Sequence, residues 1–157
     1  MIDFGGSGPQ LLLLHGLGGS AEDWREFAAC LTDTHRVLAA DLGAELPWPW
    51  AIALADLEAL DLDNPAVLGM SFGGMIAGRW AARHPECPTA ISIDGHRGGR
   101  LWYCSRQGTG VERDLLAAAN PNLTITKVDG THGMVTAQPA TVAAIVRQFL
   151  PPPRKEH

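Results

Sequence analysis

The serine at position 71 has the neighbours of an activated nucleophile. It lies in Gly69-Met70-Ser71-Phe72-Gly73, which reads G-x-S-x-G. Glycine on both sides allows a sharp strand-to-helix turn on which a serine is strained and its hydroxyl exposed. A serine hydroxyl is a weak nucleophile, so such a site also needs a base and donors for an oxyanion. The pattern predicts attack by Ser71 on a carbonyl carbon.

His132 best fits the role of the base. It lies in Asp129-Gly130-Thr131-His132-Gly133-Met134, between a predicted strand and the last predicted helix. Parallel sheets place their sites in loops after the carboxyl ends of strands. His96 is an alternative member of the site, whereas His15 is interpreted as a structural residue that holds its own loop.

The segment His15-Gly16-Leu17-Gly18-Gly19 is a candidate oxyanion hole. It joins a predicted strand to a predicted helix, so its backbone N–H groups point towards developing negative charge. The predicted donors are the N–H groups of Leu17 and of Phe72, directly after the nucleophile. A plain glycine-rich connection is the competing interpretation. Phosphate binding is disfavoured, because the G-x-x-x-x-G-K-[ST] and G-x-G-x-x-G patterns are absent.

Strand and helix patterns alternate, which predicts βαβ units and a mostly parallel sheet. The predicted strands are Gln10–Leu14, Arg36–Ala40, Pro65–Leu68, Thr89–Ile93, Leu101–Cys104 and Leu123–Val128, with Met1–Phe4 as an edge strand. The predicted helices are Ala21–Leu31, Trp50–Leu60, Gly74–His84, Val111–Ala119 and Pro139–Leu150. We expect one α/β domain over residues 1–150, a three-layer doubly wound sheet, followed by a disordered tail over 151–157.

Composition describes a soluble globular protein. The 157 residues are 46% hydrophobic and 18% charged, with a net charge of −5. This charge argues against nucleic acid or an anionic membrane as a partner. The apolar run Leu11–Leu14 is too short for a signal peptide or a membrane span, so we expect a cytoplasmic protein. Three cysteines without C-x-x-C spacing predict thiols in a reducing compartment.

The order H-G-x-G-G, G-x-S-x-G-G and G-x-H-G-M resembles the α/β-hydrolase superfamily, over about Phe4 to Leu150. The resemblance implies that Ser71 is the nucleophile, His132 the base, and Leu17 and Phe72 the oxyanion donors. The implied reaction is hydrolysis of a small-molecule ester, thioester or lactone through an acyl-enzyme, without metal or organic cofactor. Serine rather than aspartate at the turn argues against dehalogenase or epoxide hydrolase chemistry.

The chain departs from the family pattern in two ways. Only Gly95–Arg100 separates two predicted strands where members commonly insert a lid, so we expect a minimal, lid-less fold with a shallow, open site. The triad acid is missing from its commonest place, because Ser105–Gly110 contains no carboxylate. Asp94, at the end of the preceding predicted strand, is the best substitute. Glu112 or Asp114 is the alternative, and a site without an acid is another.

Apolar residues are predicted to surround Ser71 as the substrate-binding wall. They are Trp24, Trp48, Met75 and Met134, together with Phe72. Packing in the core is the competing interpretation for each of them. A second copy of the chain or another partner would cover an exposed rim of this kind. Two other functions stay open: acyl transfer, cyclisation or elimination with His132 as general base, and an inactive binding protein of the same fold.

Overall fold

The structure, a computed structural model, describes residues 1–42, 50–84, 86–96, 100–102, 127–129 and 133–153. Its strands are β1 (Ile2–Gly5), β2 (Gln10–Leu14), β3 (Arg36–Ala40), β4 (Ala66–Met70), β5 (Ala90–His96), β6 (Arg100–Trp102) and β7 (Lys127–Asp129). Its α-helices are α1 (Arg25–Ala29), α2 (Trp50–Glu58), α3 (Phe72–Arg83), α4 (Met134–Ala137) and α5 (Pro139–Val146), and a 3₁₀ helix, Ala21–Trp24, precedes α1. The predicted helix Val111–Ala119 lies outside the described residues.

The strands form one sheet in the order β1-β3-β2-β4-β5-β6-β7. The four central strands β3, β2, β4 and β5 are parallel, as the alternating pattern predicts. The edge strand β1 pairs antiparallel with β3, and β6 is antiparallel to both β5 and β7. Because two reversals restore the direction, β7 runs the same way as β5. The carboxyl ends of β2, β4 and β7 therefore lie at the same edge of the sheet.

Helices cover both faces of the sheet, which explains the unbroken leucine run of β2. Successive strand residues point to opposite faces, so Leu11 and Leu13 join one buried cluster and Leu12 and Leu14 join the other. The first cluster includes Phe27 of α1 together with side chains of α4 and α5. The second includes side chains of α2 and α3. This confirms the three-layer, doubly wound α/β fold.

Several predicted boundaries are corrected by the structure. The predicted helix over 21–31 begins as a 3₁₀ turn and continues as α1 only to Ala29. The predicted strand ending at Ile93 runs on to His96, because its last three residues pair with β6 in a hairpin. Only residues 97–99 separate these two strands, which agrees with the short connection in the sequence. Across the described residues no helix is long and apolar enough to cross a membrane.

Polar contacts fasten the last helix to the body of the fold. The Arg147 guanidinium forms an ion pair with Asp33 at 2.6 Å and donates to Thr34 Oγ1 at 3.0 Å. His35 is 3% exposed, and its Nε2 bonds the Pro151 carbonyl at 3.0 Å. Burial lowers the pKa of His35 below its ordinary value, opposed by the hydrogen bond to Pro151. The chain is thus held in place as far as Pro151.

Candidate active site

Ser71 lies on a strained turn between β4 and α3. Its backbone has φ of 54° and ψ of −115°, a conformation that non-glycine residues rarely adopt. The turn is held from both sides, because the Ser71 N–H donates to the Ile93 carbonyl at 2.8 Å and the Ser71 carbonyl accepts from Met75 N–H at 3.2 Å. Strain that the surrounding structure maintains in this way is typical of functional residues.

Each glycine near Ser71 is required by a close approach. A Cβ atom on Gly69 would lie 2.0 Å from the Gly73 carbonyl oxygen, and one on Gly73 would lie 2.2 Å from the Leu14 carbonyl oxygen. A Cβ on Gly74 would lie 2.2 Å from Ser92 Oγ. The spacing G-x-S-x-G-G therefore reflects helix α3 starting directly against β2, β4 and β5.

The predicted oxyanion loop lies against Ser71. A Cβ atom built on Gly16 would be 3.3 Å from both the Met70 carbonyl oxygen and Ser71 Cβ. The loop is closed by a bond from Gly19 N–H to the Gly16 carbonyl at 3.1 Å, and Gly18 has a φ of +74°. The order of strands in the sequence predicts that this loop and Ser71 lie at the same sheet edge. The structure shows that the two are in contact.

Residues directly after β3 hold the predicted oxyanion loop in place. His15 is 2% exposed, and its ring lies between the Gly16 carbonyl (Nδ1 to O, 2.8 Å) and Leu42 N–H (N to Nε2, 2.9 Å). Asp41 Oδ1 accepts the Ala21 N–H at 2.7 Å, so this carboxylate binds the first residue of the 3₁₀ helix. The prediction that His15 is structural is confirmed.

The two predicted oxyanion donors take different positions. Phe72 is the first residue of α3, so its N–H belongs to the positive end of that helix. Its side chain is half-buried against the cluster of α2 and α3. Leu17 is 62% exposed, at the tip of the loop. Their roles as donors stay predictions.

The predicted base and the predicted acid both belong, by their place in the chain, to the half of the sheet formed by β5, β6 and β7. His132 lies outside the described residues, in residues 130–132 between β7 and α4. Because β7 runs parallel to β5, its last residue, Asp129, lies at the sheet edge that carries Ser71. Asp94 lies within β5, opposite Trp102, and not at the end of the strand as the sequence suggests. It follows Ile93, the partner of Met70, so its backbone is level with Ser71. The alternatives Glu112 and Asp114 lie outside the described residues.

The predicted substrate wall divides into buried and exposed members. Trp24 is 1% exposed and packs edge-on to Phe27 at 5.4 Å between ring centroids. Met134 is also 1% exposed and belongs to the same cluster. Met75 is 36% exposed on the first turns of α3, close to Ser71 in sequence. Trp48 lies outside the described residues.

Sequence reasoning missed the polar contacts between β3 and the oxyanion loop. The bond from Leu42 to His15 joins residues 27 positions apart, and that from Ala21 to Asp41 joins residues 20 apart. The sequence feature that could have indicated these contacts is Asp41, directly after β3, the strand next to β2. A charged residue at that point lies at the same sheet edge as the glycine-rich loop.

Residues 11–154 match the Alpha/beta hydrolase family, and the chain belongs to that family. The pimeloyl-[acyl-carrier protein] methyl ester esterase of Chromobacterium violaceum is 42% identical over 94 residues, which cover 56% of this chain and 37% of that protein. The enzyme of the same name from Aeromonas hydrophila is 31% identical over 93 residues, covering 52% and 35%. The aligned part thus spans about a third of the length of these relatives.

The fold is also similar to solved structures. An N-formylmaleamic acid deformylase from Pseudomonas putida S16 superposes with a TM-score of 0.49 and 29% identity, over 55% of this chain and 38% of that one. The thioesterase domain of the curacin biosynthetic pathway superposes with a TM-score of 0.48 and 26% identity, over 52% and 35%.

Proposed function

We propose that this protein is a serine hydrolase that cleaves a small carboxylic ester, thioester or lactone through an acyl-enzyme. The observation that carries the proposal is the strained backbone of Ser71, held against the loop of Gly16. Strain at this residue has no use in packing, because glycine would adopt the same turn without it. It serves to present a hydroxyl at the N-terminus of α3, where negative charge is stabilised.

The proposed mechanism gives each of these groups one role. His132 removes the proton from Ser71 Oγ as the oxygen attacks the carbonyl carbon, and the N–H groups of Phe72 and Leu17 bind the oxyanion. The imidazolium returns the proton to the leaving alcohol or thiol as the carbon–oxygen or carbon–sulfur bond breaks. Water, deprotonated by His132, then releases the acid from Ser71. Asp94 is the proposed partner that orients the imidazole.

A methyl ester of an acyl chain is the substrate class that we propose first. The relatives from Chromobacterium violaceum and Aeromonas hydrophila are named as methyl ester esterases. The exposed side chains of Leu17 and Met75 lie on the loop beside Ser71 and on the first turns of α3. They offer an apolar surface for the acyl chain while methanol leaves.

Labelling with a fluorophosphonate, read by intact mass, tests the proposal. One adduct is expected on the wild-type chain and none on Ser71→Ala. The matched control is Ser92→Ala, which removes the hydroxyl of a half-buried serine on the neighbouring strand β5 and should leave labelling intact. Absence of the adduct from the wild type, together with ester turnover unchanged in Ser71→Ala, would contradict a serine mechanism.

The acid is tested by comparing Asp94→Asn with Glu112→Gln. Loss of an acid that orients the histidine lowers kcat by orders of magnitude, up to about 10⁴-fold. We expect that loss in Asp94→Asn and near wild-type turnover in Glu112→Gln. The opposite ranking would remove Asp94 from the mechanism and leave Ser71 as its nucleophile.

A further inference from the structure

His15 touches the peptide group that carries a proposed oxyanion donor. The Gly16 carbonyl and the Leu17 N–H belong to one planar, trans peptide, so they point in opposite directions. The Gly16 oxygen accepts hydrogen bonds from His15 Nδ1 at 2.8 Å and from Gly19 N–H at 3.1 Å. Two donors on the oxygen fix the plane of the peptide, and with it the direction of the Leu17 N–H.

Leu42 sets the tautomer of His15. A backbone N–H can only donate, so Nε2, at 2.9 Å from Leu42 N, must be the acceptor. The proton of the neutral ring is therefore on Nδ1, the atom that faces the Gly16 oxygen. The ring is 2% exposed, which shields both bonds from competition with water. The hydrogen bond from Leu42 thus makes Nδ1 the donor to the Gly16 oxygen.

The same peptide lies beside the nucleophile. A Cβ on Gly16 would come within 3.3 Å of Ser71 Cβ, so a rotation of this peptide would change the surroundings of Ser71 directly. Hydrogen bonds to a carbonyl also polarise the N–H of the same peptide, which strengthens it as a donor. An oxyanion donor must be aimed before the reaction, because its effect depends on not having to reorient.

We propose that His15, at the end of β2, is a positioning residue that aims the Leu17 N–H at the oxyanion through its Nδ1–H tautomer, which Leu42 beyond β3 selects. This inference rests on the proposed hydrolase function. His15 does not touch the substrate. The β3 strand end, through Leu42, thereby orients a group on the loop after β2.

Two substitutions of similar shape separate the bond to Gly16 from the bond to Leu42. In His15→Asn the side-chain N–H takes the place of Nδ1–H and can bond the Gly16 oxygen. In His15→Gln the side-chain oxygen takes the place of Nε2 and can accept from Leu42. Both variants keep one anchor, so both are expected to fold even where His15→Ala does not.

The readout is the division between kcat and KM on a small ester, with the rate of fluorophosphonate labelling of Ser71 measured alongside. His15→Gln should lose about 100-fold in kcat at nearly constant KM, the scale of losing one oxyanion donor, and labelling should slow in parallel. His15→Asn should recover most of this loss. The control is His35→Gln, which changes a buried histidine before β3 at the opposite edge of the sheet; it should change stability and leave kcat unaltered.

¹⁵N NMR of the histidine rings gives a test that does not depend on activity. The proposal requires His15 to be protonated on Nδ1 and not on Nε2. An Nε2–H tautomer would overturn it, as would wild-type kcat in His15→Gln or a His15→Gln variant more active than His15→Asn. If the wild type binds no fluorophosphonate while His15 shows the Nδ1–H tautomer, the hydrolase proposal fails and the anchoring of the loop stands.

Discussion

Replacing Gly73 by alanine should push the start of α3 away from the end of β2. The added Cβ would lie 2.2 Å from the Leu14 carbonyl oxygen and 2.6 Å from that of His15. Both are backbone atoms, and Leu14 is paired on both sides, with β3 and with β4. Relief by a side-chain rotation is therefore impossible. Real Cβ contacts do not fall below 3.0 Å, so the start of α3 must move away from β2 by at least 0.8 Å, the difference between 3.0 and 2.2 Å.

This movement should reduce stability and activity together. Forcing an extra carbon into a packed site costs about 3 kcal/mol, which for a domain of this size lowers Tm by roughly 6–12 °C. A displacement of about 1 Å between nucleophile and oxyanion loop costs about 100-fold in rate. The measurements are urea denaturation followed by circular dichroism, and ester turnover under conditions where the variant is folded.

Gly133→Ala is the control for stability. The nearest atom to its added Cβ is Thr136 Oγ1 at 3.8 Å, an ordinary contact, and its φ is −85°. We expect its free energy of unfolding to stay within about 0.5 kcal/mol of wild type. A Gly73→Ala variant equally close to wild type would refute the close packing of α3 against β2.

The remaining predictions concern strain, packing and pH. Ser71→Gly should be about 1 kcal/mol more stable than Ser71→Ala in urea denaturation, because glycine tolerates the φ of 54°; equal stabilities would argue against strain. Gly74→Ala should lower the free energy of unfolding by about 2 kcal/mol, because the added Cβ lies 2.2 Å from Ser92 Oγ. The cost should be smaller in a Ser92→Ala background, where the nearest atom of residue 92 is Cβ at 3.1 Å. Additive costs would contradict this contact. Burial lowers the pKa of His35 in the folded protein, so the unfolded chain binds the proton more readily, and stability should fall as pH drops below the ordinary value of 6.5. His35→Gln should flatten the pH dependence of Tm in that range, and an unchanged slope would exclude this residue as the cause.

The parallel centre of the sheet could be predicted because its signals are local. The leucine run of β2 needs two covered faces, which a parallel sheet with helices on both sides provides. The boundaries of β3 were predicted to the residue, since Asp41 ends its apolar run. The turn at Ser71 could also be predicted, because glycines at this spacing indicate positions where backbone segments approach closely.

The features that the sequence did not predict depend on contacts between residues far apart in the chain. The extension of β5 to His96 is decided by its pairing with β6, and nothing in Asp94-Gly95-His96 favours a strand by itself. The 3₁₀ start of the first helix is tied to Asp41, 20 residues away from Ala21. The tautomer of His15 is likewise fixed by Leu42, a contact that spacing along the chain does not indicate.

The most direct test of the central claim is to trap the acyl-enzyme. The protein is mixed with an activated ester such as a p-nitrophenyl acyl ester, quenched in acid during turnover and analysed by intact and peptide mass. The account predicts a mass increase equal to the acyl group, located on Ser71 and absent from Ser71→Ala. Ester turnover that continues in Ser71→Ala, with no acyl group on the wild-type serine, would contradict it.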